Sequence, residues 1–474
     1  MNPAIFKMLI NGALVEGSQT FPVLNPATGE TTAYAPDCDG ETLDAAVAAA
    51  RAAFPGWAAT PIEERRRMLE SVAATIGAHG EELMRILTQE QGRPHEGARA
   101  EVLGSAWFLQ QAAAMTMPVF VSEDTAERRS ETRRVPIGVV GAIAPWNFPI
   151  FLAIGKVGPA LLAGNTMVLK PSPFTPLTTL KIGEIVADLL PKGVLNIVSG
   201  TDALGPLLSG HPGIDKVSFT GSTQTGRKIM ASAASTLKRI TLELGGNDPA
   251  IVLPDVDVES VAQALFWSAF GNSGQICIAT KRLYVHTDIY DALAAALVAY
   301  AKTVKLGDGA EEGSQLGPIQ NAPQFARVKE LIEDAKANGY NFLLGGEASD
   351  LPGYFVPVTL IDNPPENSRI VQEEQFGPVL PLLKFDNVDD AIARANASEY
   401  GLGASIWSAD EAGAAALASR IQAGTVWINE SQYLSPHASF GGHKQSGIGV
   451  ENGEEGLLEY TLPQTVTVKK SVAA

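Results

Sequence analysis

Cys277 closes the stretch Ser273-Gly274-Gln275-Ile276-Cys277 and is one of two cysteines in the chain. A thiolate is a strong nucleophile, and glycine in such a turn lets a substrate or another backbone approach closely. A free cysteine taken alone is more often a packing residue, so its chemistry depends on what surrounds it. No histidine lies near it in sequence, and a papain-type pair would need a remote partner. Glu243 sits in Thr241-Leu242-Glu243-Leu244-Gly245-Gly246. Leucine-flanked before paired glycines, it is either a solvent-facing strand residue or a carboxylate desolvated at a strand end. In the second case its pKa rises toward use as a general base. Asn147 lies in Ala144-Pro145-Trp146-Asn147-Phe148-Pro149, a turn made rigid by two prolines. Its amide either donates to a developing oxyanion or bonds its own backbone. Lys170-Pro171-Ser172 ends an apolar run, and Phe219-Thr220-Gly221-Ser222-Thr223-Gln224-Thr225-Gly226 joins another to a helical stretch. The latter suits a pyrophosphate at a helix N-terminus. It departs from G-x-G-x-x-G, and a simple N-capping loop competes with that reading.

Chemistry of this kind needs a frame to hold it. From residue 138, short apolar runs alternate with helical patterns. Strands are predicted at 138–144, 166–169, 194–198, 216–219 and 240–244, and helices at 150–162, 177–190 and 223–234. That alternation predicts a parallel sheet covered by helices, with ligands bound beyond the carboxyl ends of the strands. Gly245-Gly246 marks a boundary, after which a second series begins at Ile251. Val258, Val261, Ala262, Leu265, Phe266 and Ala269 define an amphipathic helix just before the cysteine turn. Later strands are expected at 282–286, 379–385, 404–407 and 425–428. Residues before 115 read as largely helical, for instance 43–54 and 63–79. The tail 464–470 alternates as an exposed or partner-covered strand.

The chain has 474 residues, which implies two or more large domains. A net charge of −17 argues against a nucleic-acid partner, because phosphate binding needs a basic surface. The N-terminus lacks a signal-peptide pattern. The uncharged stretch from Pro136 to Gly155 is broken by Pro145, Asn147 and Pro149, so a membrane span is not expected. Two cysteines suit a reducing cytoplasm, and the absence of C-x-x-C and H-E-x-x-H argues against a metal site. Cys38, between Asp37 and Asp39, reads as an incidental surface thiol.

Together the segments resemble the aldehyde dehydrogenase superfamily over nearly the whole chain. The marks are P-W-N-F-P at 145–149, K-P-S at 170–172, F-T-G-S-T at 219–223, E-L-G-G at 243–246 and G-Q-I-C at 274–277. They continue with E-E-Q-F-G-P at 373–378, G-T-V-W-I-N at 424–429 and F-G-G-H-K-Q-S-G at 440–447. The resemblance implies an α/β fold with a Rossmann-like coenzyme domain (1–116 and 138–245) and an α/β catalytic domain (246–445). It adds a small β extension (117–137 and 458–470) that pairs subunits into homodimers or homotetramers. It casts Cys277 as the nucleophile forming a thiohemiacetal and then a thioester, Glu243 as the base for hydrolysis, and Asn147 with the Cys277 N–H as oxyanion donors. Lys170 and Glu374 would hold the riboses of NAD or NADP, with Phe376 beside the nicotinamide. Trp146, Ser172, Gly221 and Ser222 would complete the coenzyme contacts. Phe148, Leu152, Gly155, Ile276 and Ile278 would line the substrate funnel.

Two departures from relatives bear on specificity. Pro173 stands where many NAD-preferring relatives carry a glutamate, which opens NADP use; the balance still tips slightly toward NAD. Gly155 replaces a frequent large aromatic and widens the funnel, which favours a hydrophobic or aromatic aldehyde. The competing readings are a CoA-acylating enzyme, a semialdehyde dehydrogenase, a cysteine hydrolase and a non-catalytic relative.

Overall fold

The computed structural model describes residues 4–347 and 349–470. Its largest sheet has eight strands. Five are parallel, and in space they run Arg239–Glu243, Lys216–Thr220, Val139–Ile143, Thr166–Lys170, Leu195–Ile197. Within these five the chain starts in the middle, winds one way to Ile197, then crosses back to Lys216. The switch point lies between Val139–Ile143 and Lys216–Thr220, where such sheets open a crevice at their carboxyl ends. Asn147 follows one of these two strands and Ser222 the other.

The three inner strands of this set are buried along their whole length, Thr166, Lys216 and Ser218 included, because the sheet is covered on both faces. The helices over them start where expected: Thr223–Ala234 spans the predicted residues, with Ser222 as its N-cap. The helix from Leu177 stops at Val186, short of the predicted Leu190, and the chain continues as a turn. Pro136 to Gly155 divides into a strand, a turn and the beginning of the Pro149–Leu162 helix. No helix among the described residues is long and apolar enough to cross a membrane.

A seven-stranded sheet begins after Gly246, with Thr280–His286 between Asp248–Val252 and Val379–Phe385. Separate apolar cores back the two sheets. One gathers residues from Met8 to Leu244 together with Leu457 and Tyr460, and the others draw on residues from Ala250 onward. A third, antiparallel sheet pairs Thr461–Lys469 with Arg128–Pro136 and Phe120–Asp124.

The amino-terminal segment departs from the helical expectation. Five strands lie between Ala4 and Asp37, before the Gly40–Ala59 helix. They are two to seven residues long, and Pro22 interrupts one of them, so no alternating run is long enough to reveal them. Cys38 is likewise not a surface thiol but 6% exposed, and its backbone N–H donates to Ser199 O at 2.9 Å. Its burial, reinforced by Asp39 and Asp37, pushes the thiol up to about 12.

Candidate active site

Cys277 owes its position to a strained turn. The Val258–Phe270 helix ends, and Asn272, Ser273 and Gly274 all take left-handed backbone angles, with φ of 50°, 55° and 74°. A side chain at Gly274 would sit 2.2 Å from the carbonyl oxygen of Gly377, so only glycine lets the loop close there. Ser273 Oγ donates to Gly317 O at 2.6 Å, and the Gln275 side-chain oxygen accepts from Gln320 N at 2.8 Å. Lys281 Nζ donates to the carbonyl of Cys277 at 2.6 Å and to that of Ile276 at 2.9 Å. Burial pushes the Cys277 thiol up to about 12, with the Lys281 ammonium opposing it. The sulfur must lose its proton before it can attack.

Asn147 is buried, and its Nδ2 donates to Gln275 O at 3.0 Å. The amide therefore reaches across to the cysteine loop, rather than bonding its own turn as an ordinary turn asparagine would. The Cys277 N–H has no protein acceptor among the described residues, so it and the second Asn147 amide hydrogen are donors left to a ligand.

Glu243 ends the Arg239–Glu243 strand and is 3% exposed, not solvent-facing. Neither carboxyl oxygen has a hydrogen-bond partner among the described residues. Burial holds this carboxyl well above the usual carboxylate range; Glu451 adds to the effect and Lys156 opposes it. Lys156, wholly buried, donates to Thr220 Oγ1 at 2.7 Å and pairs with the Glu451 carboxylate. Sequence reading missed Lys156 and Glu451. The available signal was a single charged residue inside the otherwise apolar Pro149–Leu162 helix.

Cys277, Glu243 and Asn147 line one cavity of about 690 Å³. Phe148, Leu152, Gly155, Ile276 and Ile278 line it too, as do Phe108, Phe151, Trp267, Leu434 and Phe440. Thr220 and Glu243 of the eight-stranded sheet, the Pro149–Leu162 and Val258–Phe270 helices and the cysteine loop therefore line a mostly apolar chamber with the thiol on its wall.

The candidate coenzyme residues lie outside this chamber. Trp146 and Phe376 meet edge to face, with ring centroids 5.3 Å apart, and Phe376 holds a left-handed φ of 48°, a strained state for a bulky residue. Glu374 accepts from Gly246 N at 3.1 Å and faces Lys281 Nζ at 3.5 Å. A side chain at Gly245 would come within 2.4 Å of the Glu374 carboxylate. Ser172 Oγ accepts from Phe174 N at 3.3 Å. Ser222 Oγ accepts from Thr225 N at 3.3 Å, which is the capping arrangement, next to Gly221. Lys170 is 3% exposed, yet its ammonium finds only Pro171 O at 3.3 Å among the described residues. Burial draws it down to about 8, against the pull of Asp202 and Asp37. A buried ammonium with spare donors fits a ligand rich in hydroxyl oxygens, such as a coenzyme ribose.

The model of the aldehyde dehydrogenase family matches residues 14–466. A probable aldehyde dehydrogenase from a Pseudomonas species is 43% identical over 472 residues, covering 99% of this chain and 96% of its own. The phenylacetaldehyde dehydrogenase of Pseudomonas fluorescens is 38% identical, with coverage of 98% and 95%. The NAD+ complex of an aldehyde dehydrogenase from Bacillus cereus superposes with a TM-score of 0.93 at 38% identity, covering 98% of this chain and 97% of the other.

Proposed function

Because the chain belongs to the aldehyde dehydrogenase family, we propose that it oxidises a hydrophobic or aromatic aldehyde to its carboxylic acid through a thioester on Cys277. The observation that carries this reading is the shared apolar cavity lined by Cys277, Glu243 and Asn147. The thiol proton passes to water in the chamber, the sulfur attacks the aldehyde carbon, and Glu243, a buried carboxyl with no partner among the described residues, stays free for the hydrolytic step. Asn147 Nδ2 and the Cys277 N–H hold the negative oxygen of the thiohemiacetal. A bound nicotinamide coenzyme supplies the hydride acceptor. Glu243 withdraws a proton from the water that hydrolyses the thioester, its affinity for that proton raised by the charge of Glu451 and lowered by that of Lys156. The presence of this base favours hydrolysis over acyl transfer to CoA.

Lys170 and Glu374 are the residues we assign to the coenzyme riboses, Phe376 to the nicotinamide side, and Trp146, Ser172, Gly221 and Ser222 to the remaining contacts. Pro173 leaves room for a 2′-phosphate, but Asp37 and Asp202 supply negative charge near Lys170. That charge favours NAD over NADP.

Among the described residues the chamber offers no free cation for a distal carboxylate. Arg93, which lines it, is already bound by Glu101, and Glu96 also lines it. This disfavours semialdehydes carrying a carboxylate, and the relative named for phenylacetaldehyde agrees with an aryl-alkyl substrate. Absorbance of the reduced coenzyme, followed with NAD and NADP over aromatic, aliphatic and semialdehyde substrates without CoA, tests the reading. Arylalkyl aldehydes with NAD are expected to lead. Turnover of succinic semialdehyde with none of the aromatic aldehydes, or an absolute need for CoA, would refute it.

Gly155 gives a sharper check on the chamber. A Cβ built there meets no atom within 4 Å, so a larger side chain projects into open space. Gly155→Trp is expected to cut kcat/KM for bulky aromatic aldehydes about tenfold or more while changing that for acetaldehyde by less than about threefold. Equal losses for both substrates would mean that Gly155 does not shape the funnel.

We assign subunit pairing to the sheet containing Phe120–Asp124, whose Phe120 is 68% exposed. Light scattering is expected to return a dimer or tetramer of the 49.9 kDa chain, and a monomer at micromolar concentration would exclude this role.

A further inference from the structure

Beside the cysteine loop, a second group of buried charges grips the turn that carries Asn147. Arg93 follows the Gly80–Gln91 helix, and Glu101 lies in the His95–Ala114 helix. They form an ion pair of 2.6 Å, and both side chains are almost fully buried in the wall of the substrate chamber. Each also holds backbone on one side of the Asn147-Phe148-Pro149 corner. Arg93 Nη2 donates to the carbonyl oxygen of Asn147, and its Nε donates to Gln91 Oε1 at 2.9 Å. Glu101 Oε1 accepts from Ile150 N at 2.9 Å and from Phe151 N at 3.1 Å, the opening N–H groups of the Pro149–Leu162 helix. The guanidinium also lies 4.1 Å from the centroid of the Phe148 ring.

We propose that the Arg93–Glu101 pair is a positioning device that sets the direction of the Asn147 amide toward the oxygen formed on the substrate. The inference rests on the reading of Asn147 as an oxyanion donor. Its physical basis is the rigidity of the corner. The carbonyl of Asn147 and the N–H groups three and four residues later are tied to two charges that are tied to each other. The backbone flanking the amide then has little freedom to rotate. Asn272 Nδ2 adds a bond to the same carbonyl at 3.2 Å, which links the corner to the cysteine loop. A misplacement of about 1 Å at such a donor costs on the order of 100-fold in rate. Aligning the donor is therefore worth two buried charges, which carry a desolvation penalty of their own.

Lysine at position 93 keeps the positive charge opposite Glu101 but lacks the planar fork that serves Glu101, Gln91 and the Asn147 carbonyl together. Arg93→Lys is therefore the informative variant, measured alone and together with Asn147→Ala, with thermal melting confirming the fold. The expected result is a loss of about 100-fold in kcat with little change in aldehyde KM, as for an interaction made mainly in the transition state. In the Asn147→Ala background the same substitution should cost less than about threefold, because its effect passes through a donor already removed. Full activity of Arg93→Lys, or an equal loss in both backgrounds, overturns the proposal. If Arg93→Lys does not fold, Glu101→Gln, which keeps an acceptor for Ile150 and Phe151 but loses the charge, goes through the same cycle under the same criteria. Wild-type rates for Asn147→Ala alone would overturn the oxyanion reading itself, whereas an impaired Asn147→Ala beside an unimpaired Arg93→Lys overturns only the positioning role.

Discussion

Cys277→Ala is expected to abolish aldehyde-dependent coenzyme reduction, a loss on the order of 10⁴-fold or more, while the protein still binds its coenzyme. The expectation follows from what else lies in the chamber. Thr220 and Ser314 also line it, but a hydroxyl is far harder to ionise than a thiol, and Thr220 Oγ1 already accepts from Lys156. The only other cysteine, Cys38, is buried outside this chamber, next to Lys170. Steady-state absorbance of the reduced coenzyme, paired with coenzyme binding followed by tryptophan fluorescence, makes the measurement. A residual rate above about one part in a hundred would mean that the sulfur is not the attacking atom, given the size of the effect when a covalent nucleophile is removed. Alkylation of the wild-type thiol before assay should give the same result, and prior aldehyde should protect against it.

Glu243→Gln should separate the two halves of the reaction. Attack by sulfur and departure of hydride need only that the thiol proton has left, whereas hydrolysis of the thioester needs a base placed beside the attacking water. The variant is expected to release one equivalent of reduced coenzyme per site in a first burst. Its steady-state rate then falls by about 10²- to 10⁴-fold, the usual contribution of a positioned base. The pH profile carries a second signature. Burial raises the Glu243 carboxyl, so it is protonated, and useless as a base, at pH values where an exposed glutamate is already ionised. Thioester hydrolysis by the wild type should therefore climb with pH through this raised value and level off once the carboxylate forms. In Glu243→Gln that ascending limb should be missing. Loss of the burst itself would show instead that Glu243 is indispensable for generating the thiolate, and an unaltered steady-state rate would remove it from the mechanism.

The types of reacting groups were legible in the linear chain. A cysteine in a glycine-containing turn, a leucine-flanked glutamate before paired glycines and an asparagine between prolines each carry a local signal, and their order along the chain resembles a family. The parallel sheet was legible for a similar reason. The Val139–Ile143 strand is an unbroken apolar run, Val379–Phe385 is apolar but for Lys384, and the Thr223–Ala234 helix carries its own cap. All of these are nearest-neighbour properties, which a sequence window contains. The amino-terminal strands escaped because they are short and are completed by partners elsewhere, as Leu9 is by Ile197.

Only tertiary structure decided the states of the reacting groups. Glu243 and Cys277 are shifted chiefly by desolvation, and what buries them comes from many distant segments. Lys156 meets Glu451 across most of the chain, and no periodicity relates them. Arg93 and Glu101 are near in sequence and would pass for surface charges. What removes them from water is the Asn147 corner and the helix beginning at Pro149, brought against them by the fold. Side-chain identity is a local fact that the chain states outright. Burial, and with it charge state and aim, is a sum over non-local contacts that exists only once the fold has closed around one chamber.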